Sequence, residues 1–305
     1  MFVAKEISAP NRPRKRLQKL YCRSKSVGNN AAVRFVGFIV TLSALLICAK
    51  RAMAAADVHP IVEVESGYLF GATADGKWIK ANEAAKAIGD ETTYRVYGLT
   101  QEIGEATGGK PKAVEDVCTE TLSVSLSPKP EKGVIALAAP WNALPRKPRI
   151  ADKTQQVYVD AVRDFLKTKG IEQPKVKIDS ILRVDLDGDG EEEVLISATN
   201  YFSQNDRVPM RSPAGSYSMV LLRRVVAGKV ETQLVEGEFY PKAYVRKGDS
   251  FDAPNAYKVI ATLDLDGDRK MEVVIHSDYY EGGETTIYRC DPKKAEALLS
   301  VSCGA

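Results

Sequence analysis

Two acidic stretches 79 positions apart constrain this chain more than anything else in it. The first reads Asp185-Leu186-Asp187-Gly188-Asp189-Gly190-Glu191-Glu192-Glu193, and the second Asp264-Leu265-Asp266-Gly267-Asp268-Arg269-Lys270-Met271-Glu272. Each sets carboxylates at positions 1, 3, 5 and 9 and runs straight into apolar residues. Four carboxylates within nine residues repel one another unless a hard cation sits among them. Aligned at the same offset, Arg183–Ser197 and Thr262–His276 agree at eight of fifteen positions. A repeat of that kind predicts a supersecondary unit used twice.

The ligand chemistry that suits such a loop is calcium, which takes about six to eight oxygens from carboxylates, carbonyls and water. Asp185, Asp187 and Asp189 offer three carboxylates on the inside of one turn, as do Asp264, Asp266 and Asp268. Position 7 can add a backbone carbonyl, from Glu191 or Lys270, and position 9 a last carboxylate, from Glu193 or Glu272. A helix–loop–helix calcium site needs a bidentate Glu at position 12. That position holds Ile196 in one loop and Ile275 in the other, which excludes it. Apolar runs follow at once, so each loop is expected to join two strands.

The pattern D-x-D-x-D-G-x-x-[D/E] before a β run resembles the calcium loops of FG-GAP/VCBS repeats, found in integrin α-subunit propellers and many secreted bacterial proteins. The resemblance implies calcium held by Asp185, Asp187, Asp189, the Glu191 carbonyl and Glu193. In the second loop it implies Asp264, Asp266, Asp268, the Lys270 carbonyl and Glu272. It covers two stretches of 15 to 25 residues. The second loop departs from it at position 6, where Arg269 replaces glycine and a left-handed backbone costs of order 1 kcal/mol. Two such repeats do not close a seven-bladed ring, so a sandwich-like or partial-blade arrangement is expected.

The rest of the chain is predicted as mainly β, α+β overall, with duplicated four-stranded units preceded by one amphipathic helix and a smaller N-terminal α+β region. Residues 57–144 form that region. Within it Ala74-Asp75-Gly76 signals a hairpin, Asn82–Ile88 a short helix, and Gly104–Lys112 a loop. Pro140 to Arg149 holds three prolines and three basic residues, so 145–153 is read as a linker or surface crossing. Residues 154–305 carry the helix and the repeated β region. Over Thr154–Lys169 the apolar positions Val157, Ala161, Val162, Phe165 and Leu166 share a face, and Gly170 stops the helix. A hairpin is expected around Ala227-Gly228, and Lys293–Cys303 reads as a short helix or a fourth strand.

Charge is segregated along the chain. Of 43 basic and 40 acidic residues, eleven and one lie in residues 1–54, leaving 32 basic against 39 acidic in the remainder. That acidic body lacks the electrostatic footprint of a nucleic-acid binder. The basic leader precedes Phe35–Ala49, fifteen residues without a charge, and then the small-residue stretch Ala52–Ala56. This is the order of a secretory signal, with cleavage near Ala54–Asp57. Residues 1–56 are therefore read as a signal peptide, with an uncleaved membrane anchor at 35–49 as the alternative. Export to the periplasm or beyond permits disulfides. Cys290 and Cys303 would close a short loop worth about 3 kcal/mol, with Cys118 left over or paired elsewhere.

No phosphate loop, dinucleotide fingerprint or G-x-S-x-G elbow is present. His276, Ser277 and Asp278 have the residue types of a triad, but strand neighbours point to opposite faces. Tyr279-Tyr280, beside Glu281 and Glu284, and the long segment Asn200–Ser216 are candidate binding surfaces. The sequence thus points to an exported, calcium-braced, non-catalytic binding or envelope protein with a protein or glycan ligand. The alternative is a secreted hydrolase, for example on glycans, whose catalytic acids carry no local motif.

Overall fold

Alternating apolar residues and short turn dipeptides make strand the dominant element among the described residues. The computed structural model describes residues 57–115, 118–201, 208, 211–244, 254–280 and 282–304. The N-terminal elements are β1 (His59–Glu63), β2 (Leu69–Ala74), β3 (Lys77–Lys80), the one-turn helix α1 (Ala81–Ala84), β4 (Thr92–Tyr97) and β5 (Glu102–Gly108). They continue with β6 (Lys112–Ala113), β7 (Leu122–Ser123), β8 (Leu126–Ser127) and β9 (Ile135–Leu137). Seven of them form an antiparallel sheet in the order β3-β2-β1-β9-β4-β5-β8, while β6 and β7 make a separate ribbon. Asp75 and Gly76, both at positive φ, close the β2–β3 hairpin between the paired residues Ala74 and Lys77. That is the two-residue turn whose twist matches its strands. The segment expected as a loop, Gly104–Lys112, is mostly strand, because β5 pairs with β4 from Thr92–Gly108 to Tyr97–Glu102. The expected helix at Asn82–Ile88 shrinks to α1.

The second sheet is ordered β10-β11-β12-β13-β14, formed by β10 (Arg149–Ile150), β11 (Ile178–Val184), β12 (Glu193–Thr199), β13 (Ser216–Val226) and β14 (Lys229–Tyr240). The third is a four-stranded meander of β15 (Ala256–Leu263), β16 (Glu272–Tyr279), β17 (Gly282–Cys290) and β18 (Ala295–Gly304). The segment 293–303 is thus strand from Ala295 onward. Helix α2 (Gln156–Thr168) precedes β11. The prolyl, basic segment read as a linker contains β10, which adds Arg149 and Ile150 to the free edge of β11.

Strand alternation explains the layering. In the second sheet Ile181, Val194, Ile196, Ala198, Tyr217, Met219 and Leu221 face α2, whose Tyr158, Val162 and Leu166 are buried against them. Val162 and Leu166 are buried as expected, but Val157 is 55% exposed and Tyr158 points inward in its place. The helix ends in a Schellman motif. Ile171 N–H donates to Leu166 O and Gly170 N–H to Lys167 O, with Gly170 at φ +82°. The intervening residues Leu182, Val184, Leu195 and Leu222 face the other way, into a core shared by all three sheets. Ile61 and Leu137 reach it from the first sheet, Leu263, Val273 and Ile287 from the third. Each such side chain contributes roughly 1.5–3 kcal/mol on full burial.

The third sheet packs β15 on β12 and β13, and β18 on β2 and β3. Its edge strand β15 is not left with bare donors. Tyr257 N–H donates to Ser218 Oγ at 2.8 Å and Val259 N–H to Ser197 Oγ at 3.1 Å, both from the second sheet. Residues 57–304 belong to a single compact unit. Its one disulfide among the described residues joins Cys118 to Cys303, with Cα atoms 5.6 Å apart, and Cys290 is a free thiol. The expected Cys290–Cys303 bridge is therefore corrected. In the β17–β18 hairpin Cys290 pairs with Ala295 and Cys303 with Gly283, so the two cysteines stand at opposite ends. The segment expected to be a signal, residues 1–56, and residues 202–207 and 209–210 of the long connection lie outside the described residues. Glu281 does too. No helix among the described residues is long and apolar enough to cross a membrane.

Candidate metal centre

Both acidic loops connect the first two strands of a meander, β11 to β12 and β15 to β16. The register fixes their last acid. Glu193 opens β12 opposite Val184, and Glu272 opens β16 opposite Leu263. Position 9 is thus the first strand residue, held beside position 1. From there Glu193 Oε2 accepts Leu186 N–H at 2.8 Å, and Glu272 Oε2 accepts Leu265 N–H at 2.9 Å.

The rest of each loop is wired alike. Asp185 accepts from Gly188 N–H at 2.7 Å and Gly190 N–H at 3.1 Å. Asp264 accepts from Gly267 N–H and Arg269 N–H at the same two distances. Asp187 and Asp266 each accept the N–H two residues ahead, at 3.3 and 3.2 Å. Asp189 and Asp268 do likewise, at 2.8 and 2.7 Å. The circuit needs a left-handed residue at position 6, and both loops have one: Gly190 at φ 92° and Arg269 at φ 72°.

These bonds gather carboxylates. Oxygens of Asp185, Asp187 and Glu193 lie within 4.8 Å of one another, and so do those of Asp264, Asp266 and Glu272. Asp189 and Asp268 stand outside those groups. The donor set is all hard oxygen, and each carboxylate keeps lone pairs beyond the N–H it accepts, which suits a hard divalent cation.

The surroundings of the two loops differ. In the first, Asp187, Gly188, Asp189, Gly190 and Glu191 are exposed, and of its acids only Glu193 is buried. In the second, Asp264 is 3% and Glu272 1% exposed. Burial pushes the Glu272 carboxyl up to about 9, with Asp266 and Asp268 adding to the effect. Burial likewise pushes Asp264 up to about 6 and raises Asp266 and Glu193. Arg289 Nη2 binds Asp266 Oδ2 at 2.9 Å and offsets part of that cost.

Three residues around the loops were not marked by any motif. Trp141 lies over Gly267, where a Cβ would stand 3.2 Å from the indole, and its Nε1–H donates to Asp264 O at 2.9 Å. Arg146 ties the loops together. Its Nε donates to Asp185 O, and its Nη2 to Leu186 O at 3.0 Å and Arg269 O at 2.7 Å. Arg289 comes from β17. The loops also touch directly, Met271 N–H donating to Leu186 O at 2.8 Å. Asp264 N–H donates to Ala143 O at 2.8 Å, and Thr73 Oγ1 to Leu265 O at 3.1 Å. The segment 141–146 carried only proline and charge as signals, and its role depends on a fold that brings residues 185 and 269 side by side.

Among the other candidates, His276 and Asp278 share a face, while Ser277 points away and donates to Glu284 O at 3.3 Å. No triad forms there. Comparison with protein-family models, with curated proteins and with solved structures finds no match for this chain. The structure defines a mainly β protein of three packed antiparallel sheets with two acidic loops at their meeting point.

Proposed function

We propose that this is an exported calcium-binding protein, without catalytic activity of its own, in which two calcium ions brace three β-sheets that present a surface to a protein or glycan. One observation carries the reading: two carboxylate triads, Asp185/Asp187/Glu193 and Asp264/Asp266/Glu272, sit in loops with the same hydrogen-bond circuit. We take β11–β14 and β15–β18 as two copies of one four-stranded unit, since each carries its acidic loop in its first hairpin. The sequence identity between the loops and their likeness to FG-GAP/VCBS calcium loops support this. Export is supported by the basic and apolar leader and by the Cys118–Cys303 disulfide, a bond kept in oxidising compartments.

Calcium would act as a staple. Each ion would fix a loop that contacts the other, the second loop also bonding the first sheet through Thr73, and it would offset the repulsion among buried carboxylates. Mass action then adds about 2.7 kcal/mol per site at a hundredfold excess over Kd. Calorimetric titration of the full chain, with thermal scans in calcium and in EGTA, tests the proposal. Two equivalents of calcium and a lower Tm in EGTA are expected, with Asp187→Asn and Asp266→Asn each removing one equivalent. No binding heat and an unchanged Tm reject it.

A further inference from the structure

A second cluster of titratable groups lies away from the acidic loops, where β1 of the first sheet meets β16 and β17 of the third. His276 on β16 lies over Gly283, which leaves room for the ring; a Cβ there would stand 3.1 Å from Cε1. The imidazole Nδ1 is 2.7 Å from Thr285 Oγ1, and Nε2 is 3.2 Å from Asp278 Oδ1. Glu63 on β1 accepts the Thr285 hydroxyl at Oε1 and the Ser66 hydroxyl at Oε2. Its Oε1 is also 3.9 Å from His276 Nδ1.

Counting protons decides the state of the ring. A carboxylate only accepts, so the single hydroxyl proton of Thr285 goes to Glu63. Thr285 is 1% exposed, so water does not stand in for a partner. His276 Nδ1 must then supply its own proton to Thr285 Oγ1. Nε2 faces Asp278, a second carboxylate with an open side chain, and bonds to it directly only when protonated. Both contacts are satisfied at once only by the imidazolium.

We propose that His276 is a pH-sensitive clasp joining β1 to the β16–β17 hairpin, closed while the ring carries both protons and loosened when it loses one. A neutral ring leaves the exposed Asp278 to water and removes the positive charge 3.9 Å from Glu63 Oε1, which weakens the hold on β1. The charges around the ring favour the closed state. Asp278 lies on its own strand, Glu63 on β1, and Glu65 just beyond β1. Lys258 on β15 is in register with His276 and exposed, the one opposing charge on that face. Glu284 is in register with Ser277 and stands on the other face of β17, and the β18 partner of Thr285 is the apolar Val301.

The hydrogen bond to Asp278 raises the His276 pKa above its ordinary 6.5, with Glu63 and Glu65 adding to it and burial opposing. A raised histidine contributes stability that is complete below the unfolded value and is lost as pH climbs through the folded one. The clasp is therefore closed in mildly acidic conditions and opens on the alkaline side.

The chain has only two histidines, so His59→Gln leaves a single imidazole to follow. Long-range proton–nitrogen correlation on the nitrogen-labelled full chain reads both ring nitrogens between pH 6 and pH 9. The expected result is protonation of both nitrogens at pH 6.5 and a midpoint above that of the same chain in urea, lowered by Asp278→Asn and by Thr285→Val. In parallel, His276→Gln should flatten the fall in stability across the same range relative to the parent. A ring with one proton at pH 6.5, or a midpoint no higher than in urea, overturns the proposal. If His276→Gln does not fold, the nitrogen spectra of the His59→Gln chain still decide.

Discussion

The two acidic loops share one hydrogen-bond circuit but sit in different media. The first projects from the β11–β12 hairpin with five consecutive residues exposed, Asp187 to Glu191. The second exposes Gly267 to Lys270 as well, but its ligand-position acids Asp264 and Glu272 are nearly inaccessible, beneath Trp141 and beside Arg289. The loop conformation therefore comes from its own Asp–backbone bonds, since it is the same whether the acids at positions 1 and 3 are more open, as Asp185 and Asp187 are, or covered, as Asp264 and Asp266 are. It even survives loss of the position-6 glycine, Arg269 taking the left-handed backbone that Gly190 takes in the first loop. What covering these acids does is electrostatic: burial makes Asp264, Asp266 and Glu272 harder to ionise.

Four experiments would break or sharpen that comparison. Trp141→Ala strips the cover from the second loop alone and should cost about 3 kcal/mol by urea titration, for lost packing and one hydrogen bond. An equal loss of calcium from both loops would show that the cover serves both. Arg289→Met should cost roughly 3 kcal/mol in EGTA, because Asp266 is left without its cation in a site only 3% open at the side chain. Added calcium should shrink that cost; a cost independent of calcium would mean the guanidinium and the ion do not share a role.

The third contrast is in pH. Glu272, raised to about 9, and Asp264, raised to about 6, hold protons in the calcium-free fold that the unfolded chain has already released. Folding stability in EGTA should thus fall as pH rises from about 4.5 toward 9. Glu272→Gln should flatten this fall more than Glu193→Gln, and equal flattening would erase the difference between the loops. The smallest effect concerns the backbone. Arg269→Gly should stabilise the protein by about 1 kcal/mol and Gly190→Arg should cost a similar amount, read as opposite shifts in Tm.

Features set by neighbours in sequence were legible. Asp75-Gly76 and Ala227-Gly228 close two-residue hairpins at positive φ, and Gly170 terminates α2, because turn chemistry is local. The acidic loops were legible for the same reason: every bond in their circuit spans seven residues or fewer. What depended on sheet register was not. Cys303 finds Cys118 because β18 runs away from Cys290, a fact of strand direction that spacing alone does not carry. Glu102–Gly108 became a strand despite its glycines because β4 offered a partner. Tyr158 rather than Val157 faces the sheet because it completes the i, i+4, i+8 stripe with Val162 and Leu166 that the sheet covers. Arg146 was read as part of a linker, and only the third dimension brings three carbonyls from two loops to one guanidinium.

The Cys118–Cys303 bond spans 185 positions and encloses α2, both meanders and both acidic loops within one covalent ring. Force applied to the two ends of residues 57–304 would reach Cys118 on one side and Cys303 on the other, then cross a single sulfur–sulfur link. Residues 119–302 would hang off that load path as a slack side branch. A protein tethered at its N-terminus and pulled at its C-terminus would keep its loops intact until the bridge was reduced. After reduction the tension would run through β18 first, peeling the third sheet away from the strands it covers.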